Sequence, residues 1–445
     1  MNPDQIISDF RQRKLHVDFL EMSLVQNKSS KGPVSYNGKG YIRQTGDDVL
    51  MFKLYANETL NTDFVANLKR LNEIKSGELY SDDSYYILSG IAADGTAWKA
   101  EHVLPNCDWN TQHANPIIHG NLSSITGGEL LPAPKSLAMY FFEKADLPVM
   151  IREAKFIAAG YEFHVENGED SFIVRAKSNA PLPDHFAMRV EEALRFLLAQ
   201  SVTPRAMVQP WAIVLTSTTL KSPTVRLGPP ISRGSAAFHD KSWNLFGVYL
   251  LYVIRKTKFA NWNSCTGYLH LAREASANSL DAWGMGLGVA VEGLASLIDI
   301  EQDKSEKARL KKLQEFIVKQ VSSRKRLKAF TERIRGLVAG LTSVRAIDRM
   351  KWLADQGGAD PVHVEAWRKL RNRGVHPATR GDVDIASLDF QKRIDELHGV
   401  TVLLYHIVFH VIGYRGPYTD YATRNFPEKN YPLESRSSKS GGGEE

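Results

Sequence analysis

The chain has only two cysteines in 445 residues, Cys107 and Cys265, far apart and in different halves. They match neither a disulfide framework nor a zinc-ligand spacing, so a reducing cytoplasm is the expected compartment. No run of roughly 18 apolar residues occurs, which leaves no expected membrane span. The segment from Met1 to Asp18 is polar and lacks the apolar centre of a secretion signal. A Walker lysine loop and a serine nucleophile elbow are also missing. Gly284-Met285-Gly286-Leu287-Gly288 lacks the spacing of a dinucleotide fingerprint and follows no expected strand, so close helix packing explains it better. His406 and His410 have a metal-ligand spacing, but Ile407-Val408-Phe409 between them carries no glutamate, and a zinc protease motif is not formed. No metal and no cofactor is expected.

What is present is a chain that is 43% hydrophobic and 24% charged, long enough for two or three cores. The net charge of +6 hides an asymmetry. Residues 1–230 carry 23 Lys and Arg against 26 Asp and Glu, whereas residues 231–445 carry 33 against 24. Basic character therefore concentrates in the second half and points to a polyanionic partner there.

Periodicity gives an α+β multidomain chain. From about residue 33 to 180, period-two runs alternate with turn residues, which is the pattern of strands. Three hairpins stand out: Tyr41–Arg43 with Val49–Leu54 around Gly46-Asp47-Asp48, Ser84–Leu88 with Ala97–Ala100 around Asp94-Gly95-Thr96, and Tyr161–Val165 with Phe172–Arg175 around Asn167-Gly168. The last dipeptide suits positive φ in a tight turn. An antiparallel sandwich or open barrel follows, with a helix over Asp184–Gln200 and a strand near Trp211–Thr216. Ser222–Gly234 holds the densest set of breakers and is read as a linker. The expected domains are a β-rich sensing or regulatory domain over 1–230, an all-α bundle over 235–433, and a disordered tail over 434–445. Within the bundle, helices are expected over Lys241–Arg255, Leu280–Asp299, Glu306–Val321, Arg324–Leu341, Val344–Ala354, Pro361–Arg373 and Leu388–Tyr414. The last is the natural centre of the bundle.

One segment combines phosphate-binding and proton-transfer chemistry. In Arg371-Asn372-Arg373-Gly374-Val375-His376 a guanidinium that can fork onto a phosphate lies five residues before an imidazole that titrates near neutrality. The bare spacing is weak, because Arg11 with His16, Arg233 with His239 and Arg393 with His398 satisfy it too. Context separates them. Asp360-Pro361 supplies an N-cap and a first-turn proline, Trp367 and Leu370 face a core, and Gly374 with Pro377 ends the helix, so Arg371 and His376 sit at a rigid helix end. The bland alternative is that Arg371 pairs with an acid such as Asp382 or Asp384 while His376 caps the helix.

This segment resembles the Arg-polar-x-x-x-His motif of the HEPN superfamily, all-helical ribonuclease and nucleotide-binding modules. Leu287 to Leu297, with Glu292 on an apolar face, looks like the earlier helix of such modules, and Leu403 to Tyr414 looks like the closing one. The likeness spans about residues 240 to 430. A β-rich half before a HEPN module resembles ApeA-type anti-phage proteins in architecture. The resemblance implies a metal-independent RNA endonuclease of abortive infection, leaving 2′,3′-cyclic phosphate and 5′-hydroxyl ends. Arg371 would bind the scissile phosphate, His376 would act as general acid or base, Asn372 would orient them and Glu292 would support them. One motif per chain implies a homodimer, and a phage-derived protein or other trigger would act at the N-terminal domain. Some modules of this kind only bind a protein or nucleotide partner, and that remains the alternative.

Three further regions carry two readings each. Residues 301–335 hold twelve Lys and Arg against five acids, and Lys325, Arg326 and Lys328, with Arg373, could track an RNA backbone or form a solvated face. Tyr414, Tyr418, Tyr421, Phe426 and Tyr431, interleaved with Arg415, Arg424 and Lys429, could stack bases, but packing of an extended tail is the preferred reading. His102, Asn106, Asp108, Trp109, His113 and His119 form a polar loop or a sensor surface.

Overall fold

The computed structural model describes residues 2–28, 32–46, 48–60, 81–108, 115–128, 136–143, 145, 147–148, 152–169, 171–209, 212–217, 225–300, 304–323, 330–339, 343–375 and 388–433. The chain divides into two compact units, one of residues 1–145, 149–187 and 202–222, the other of residues 146–148, 188–201 and 223–445.

The first unit opens with helix α1 (Pro3–Arg11) and continues into strands β1 (His16–Gln26), β2 (Ser35–Gln44), β3 (Leu50–Leu60), β4 (Tyr86–Ala92), β5 (Ala97–Val103), β6 (Asn106–Asp108), β7 (Ile117–Leu122), β8 (Ser124–Gly127), β9 (Ser136–Glu143), β10 (Glu153–Ala158), β11 (Tyr161–Asn167), β12 (Ser171–Ser178), β13 (Pro204–Gln209) and β14 (Ala212–Thr216). They join in one sheet, ordered β10-β11-β12-β9-β13-β14-β8-β5-β4-β1-β2-β3-β7-β6. The three expected hairpins form, with Ile42 opposite Phe52, Ile91 opposite Ala97 and Val165 opposite Val174. Gly95 takes φ +82° in the second turn, as its Asp-Gly dipeptide requires. The third turn differs from expectation. Gly168 does not take positive φ, and the loop closes instead when its N–H donates to the Ser171 carbonyl at 2.8 Å. The two-residue positive-φ turn lies one hairpin earlier, at Ala159 and Gly160 between β10 and β11.

Alternation along the strands builds the core. Leu50, Phe52 and Leu54 of β3 are fully buried beside Phe19 and Leu24 of β1, Leu88 of β4, Ile118 of β7 and Ile213 and Leu215 of β14. Helix α1 covers this cluster with Ile7 and Phe10. Its start is set by Asn2, whose side chain accepts from the Asp4 N–H, with Pro3 in the first turn.

Helix α2 (Phe186–Leu198) leads the chain into the second unit, which holds α3 (Ala237–Lys256), α4 (Ser264–Ser276), α5 (Leu280–Ala295), α6 (Lys304–Ser323), α7 (Thr331–Ala339), α8 (Ala346–Asp355), α9 (Pro361–Val375), α10 (Leu388–Ile412) and a hairpin of β15 (Gly416–Thr419) and β16 (Glu428–Tyr431). Helix α10 is buried all round from Gly399 to Phe409, as a central helix must be. None of the described helices is long and apolar enough to cross a membrane.

The described part of the expected linker is a strap and not a free connection. Leu227 and Ile231 are buried, and the Pro-rich carbonyls are met by side chains of the helical unit: Tyr421 Oη donates to Pro229 O at 2.7 Å and Tyr405 Oη to Gly228 O. Prolines break helix and strand, yet here tyrosine hydroxyls satisfy the exposed carbonyls and let the segment pack. Residues 434–445, read as a tail, lie outside the described residues.

Candidate functional site at the end of helix α9

The candidate site is built on three helices. Helix α9 starts where Asp360 Oδ1 accepts from the Val362 N–H at 2.9 Å and Pro361 fills the first turn. Its Val364, Trp367 and Leu370 are buried, and Trp367 Nε1 donates to Gly288 O of α5 at 3.0 Å. The glycine run of α5 makes this approach possible. A Cβ on Gly284 would lie 3.1 Å from Leu370 Cδ1, one on Gly286 would lie 2.3 Å from Ala275 Cβ of α4, and Gly288 faces the Arg371 Cα. The run is therefore a packing device, as its spacing implies.

Seated this way, Arg371 meets Glu292 of α5. Nε donates to Oε2 at 2.7 Å and Nη2 to Oε1 at 3.1 Å, a two-pronged pair between side chains that are 40% and 42% exposed. The acid facing Arg371 is thus Glu292, while Asp382 and Asp384 lie outside the described residues. Hydrogen bonding to this carboxylate raises the Arg371 pKa further. Glu292 takes two of the five guanidinium N–H donors and leaves Nη1 and the second Nη2 hydrogen to other acceptors.

The other expected residues divide. Asn372 is exposed on the outer side of α9. Arg373 turns inward and forks onto Glu396 of α10 at 2.5 and 3.1 Å, where Glu396 is only 9% exposed, so its charge is matched within the helical unit. That partner escaped sequence reasoning, since nothing local links positions 373 and 396. His376, Lys325, Arg326 and Lys328 lie outside the described residues.

Residues of two of the three competing Arg and His pairs have other partners. Arg393 is ion-paired with Asp281, and His398 sits edge-on to Trp283 and Phe426 with burial lowering its pKa. His16 stacks on Tyr41 and contacts Asp18 at 2.9 Å. His406 is 1% exposed among Phe409, Tyr418 and Tyr431, and burial pushes its pKa down to about 3, so it is a neutral core residue. Among the described residues no group of three or more His, Cys, Asp or Glu is placed to hold a metal. Burial lifts the Cys107 thiol to about 11 and the Cys265 thiol to about 12, which leaves neither poised as a thiolate.

Three of the five tail aromatics pack as preferred, while Tyr421 is half-buried and Phe426 is 47% exposed. Tyr414, Tyr418 and Tyr431 are buried around His406 and Phe409, where bases cannot reach them. In the first unit His119 contacts Asp108 at 3.1 Å across β6 and β7, while Trp109 and His113 lie outside the described residues. No family model, curated protein or solved structure matches this chain.

Proposed function

We propose that the helical unit is a metal-independent RNA endonuclease of HEPN type. The observation that supports this reading is the Arg371 guanidinium: carried at the end of a well-capped helix, two-fifths exposed, and oriented by a two-pronged contact to Glu292. In this reading Glu292 is a positioning residue. It holds the plane of the guanidinium so that its remaining donors meet a phosphate as extra charge develops on the scissile oxygens. His376 takes the proton of the attacking 2′-hydroxyl or returns one to the leaving 5′-oxygen, and Asn372 orients the pair. Cleavage leaves a 2′,3′-cyclic phosphate and a 5′-hydroxyl, so DNA is no substrate. A homodimer brings two such motifs together, RNA is drawn by the basic half, and a phage-derived trigger acts on the β-rich unit in an abortive-infection response within the cytoplasm.

One observation favours a second reading. The Arg371 and Glu292 fork is a complete ion pair in its own right, which suits a non-catalytic HEPN-like module that recognises a protein or nucleotide partner. Incubation of the full chain with single-stranded RNA and a chelator separates the two. Cleavage with cyclic phosphate ends, lost by about 100- to 1000-fold in folded Arg371→Ala and His376→Ala, is the expected result. Cleavage that survives both substitutions would exclude this site.

A further inference from the structure

A large cavity lies within the first unit, where hairpin turns converge on the end of α1. It measures about 930 Å³, within the range of small-molecule sites. Three guanidiniums line it, from Arg11 in the last turn of α1, Arg13 just beyond, and Arg205 near the start of β13.

Arg205 is the unusual one. Its side chain is 6% exposed and lies over the Phe10 ring, with Nε donating to Thr216 O at 3.3 Å and Nη1 to Glu143 Oε1 at 3.1 Å. Its Nη2 has no hydrogen-bond acceptor among the described residues; the Asp48 carboxylate stops 3.8 Å away. A buried cationic donor without an acceptor is costly, and a ligand oxygen would remove that cost. Asp48 is held back by a two-pronged pair with Arg13 at 3.0 and 2.9 Å, and both residues adopt positive φ, 62° and 58°. Side chains rarely accept that region, and such strain clusters at binding sites. Glu143, the carboxylate hydrogen-bonded to Arg205 among the described residues, is 58% exposed and can swing into solvent when a competing oxyanion arrives.

We propose that this cleft binds a phosphate-bearing small molecule of mononucleotide size, its phosphate held by Arg205 and Arg11. Guanidiniums from separate elements suit a multiply charged, tetrahedral oxyanion. Glu169 and Ser171, which also line the cleft, offer oxygens to the hydroxyl or amino groups of the same ligand. The carboxylates in the lining disfavour a bare anion, so inorganic phosphate binds more weakly than a molecule that brings donors as well. The inference does not rest on RNA cleavage by the helical unit.

Calorimetric titration of the full chain with each of the four ribonucleoside 5′-monophosphates, with the matching nucleosides and with inorganic phosphate tests it. At least one monophosphate is expected to bind at least about tenfold tighter than its nucleoside, with Arg11→Gln and Arg205→Gln each weakening it by about tenfold or more. Glu143→Gln removes the competing carboxylate and should tighten binding, whereas Lys99→Gln should leave it unchanged. If Arg205→Gln fails to fold, the substitutions at exposed Arg11 and Glu143 still decide. Absence of binding by all four monophosphates, equal binding of nucleosides, or unaltered affinity in Arg11→Gln would overturn the proposal.

Discussion

Two arginine and glutamate pairs in the helical unit have nearly the same chemistry and opposite surroundings. Arg371 and Glu292 are each about two-fifths exposed, and the pair uses only part of the guanidinium. Arg189 and Glu192 are 2% and 0% exposed, and both are anchored further: Arg189 Nη2 donates to Phe259 O at 2.9 Å and Asn261 O at 2.8 Å, while Glu192 accepts from Asn263 N at 2.8 Å and from the Thr266 hydroxyl. The dry pair ties α2 to the loop before α4 and is closed off from solvent. The wet pair adds little to stability because water competes for both partners. Exposure, more than residue type, therefore distinguishes Arg371 from Arg189.

Breaking the dry pair should give the largest effect. Glu192→Ala strands a buried guanidinium and should cost about 3–5 kcal/mol in urea unfolding. Next comes a dry polar group of the same unit without hydrogen-bond partners. Both ring nitrogens of His406 lack hydrogen-bond partners among the described residues, and burial lowers its pKa from 6.5 to about 3. A depressed histidine pKa means stability is fully present above pH 6.5 and is lost as pH falls toward 3, so unfolding at pH 4.5 should be easier by about 3 kcal/mol than at pH 7. His406→Leu should flatten that part of the profile. Smaller still is a change that disturbs the seat of the wet pair without touching it. Gly286→Ala drives a Cβ to 2.3 Å from that of Ala275 and should destabilise by about 1–3 kcal/mol, whereas Gly267→Ala, which meets nothing within 4 Å, should stabilise by up to about 1 kcal/mol in the same assay. The smallest stability effect belongs to Glu292→Ala, below about 1 kcal/mol. A cost near that of Glu192→Ala would erase the distinction between the pairs.

The hairpins were legible because alternation marked the strands, with the turn residues in agreement at Asp94-Gly95 though not at Asn167-Gly168. Strand β1 was not, because the bulge between Phe19 and Met22 shifts its alternation by a phase and hides the period. Helix α1 escaped although Asn2-Pro3 is a start signal and Ile6, Ile7 and Phe10 form a stripe; its polar content masked them. Helix α4 was missed because Gly267 and several small polar residues dilute its apolar face, despite the Asn263 cap. At the candidate site, the helix carrying Arg371 and the helix carrying Glu292 both followed from local pattern. Their contact did not, since it joins positions 79 residues apart. Arg189 and Glu192 carried a readable sign, an i,i+3 charge pair on a helix rich in apolar residues, whereas Arg205 carried none.

The route of α2 has a practical consequence for dissecting the molecule. A recombinant fragment begun at the proline-rich strap near residue 230 would retain Asn263 and Thr266 but lose Glu192, and would retain Tyr249 and Phe409 but lose the Phe196 ring stacked 4.3 Å from Tyr249. Such a fragment exposes apolar surface and leaves buried donors without acceptors, so poor solubility there would report a missing segment and not an unstable helical unit. Supplying residues 188–201 as a separate peptide, or fusing them ahead of the strap, is the design that would let the helical unit be studied alone.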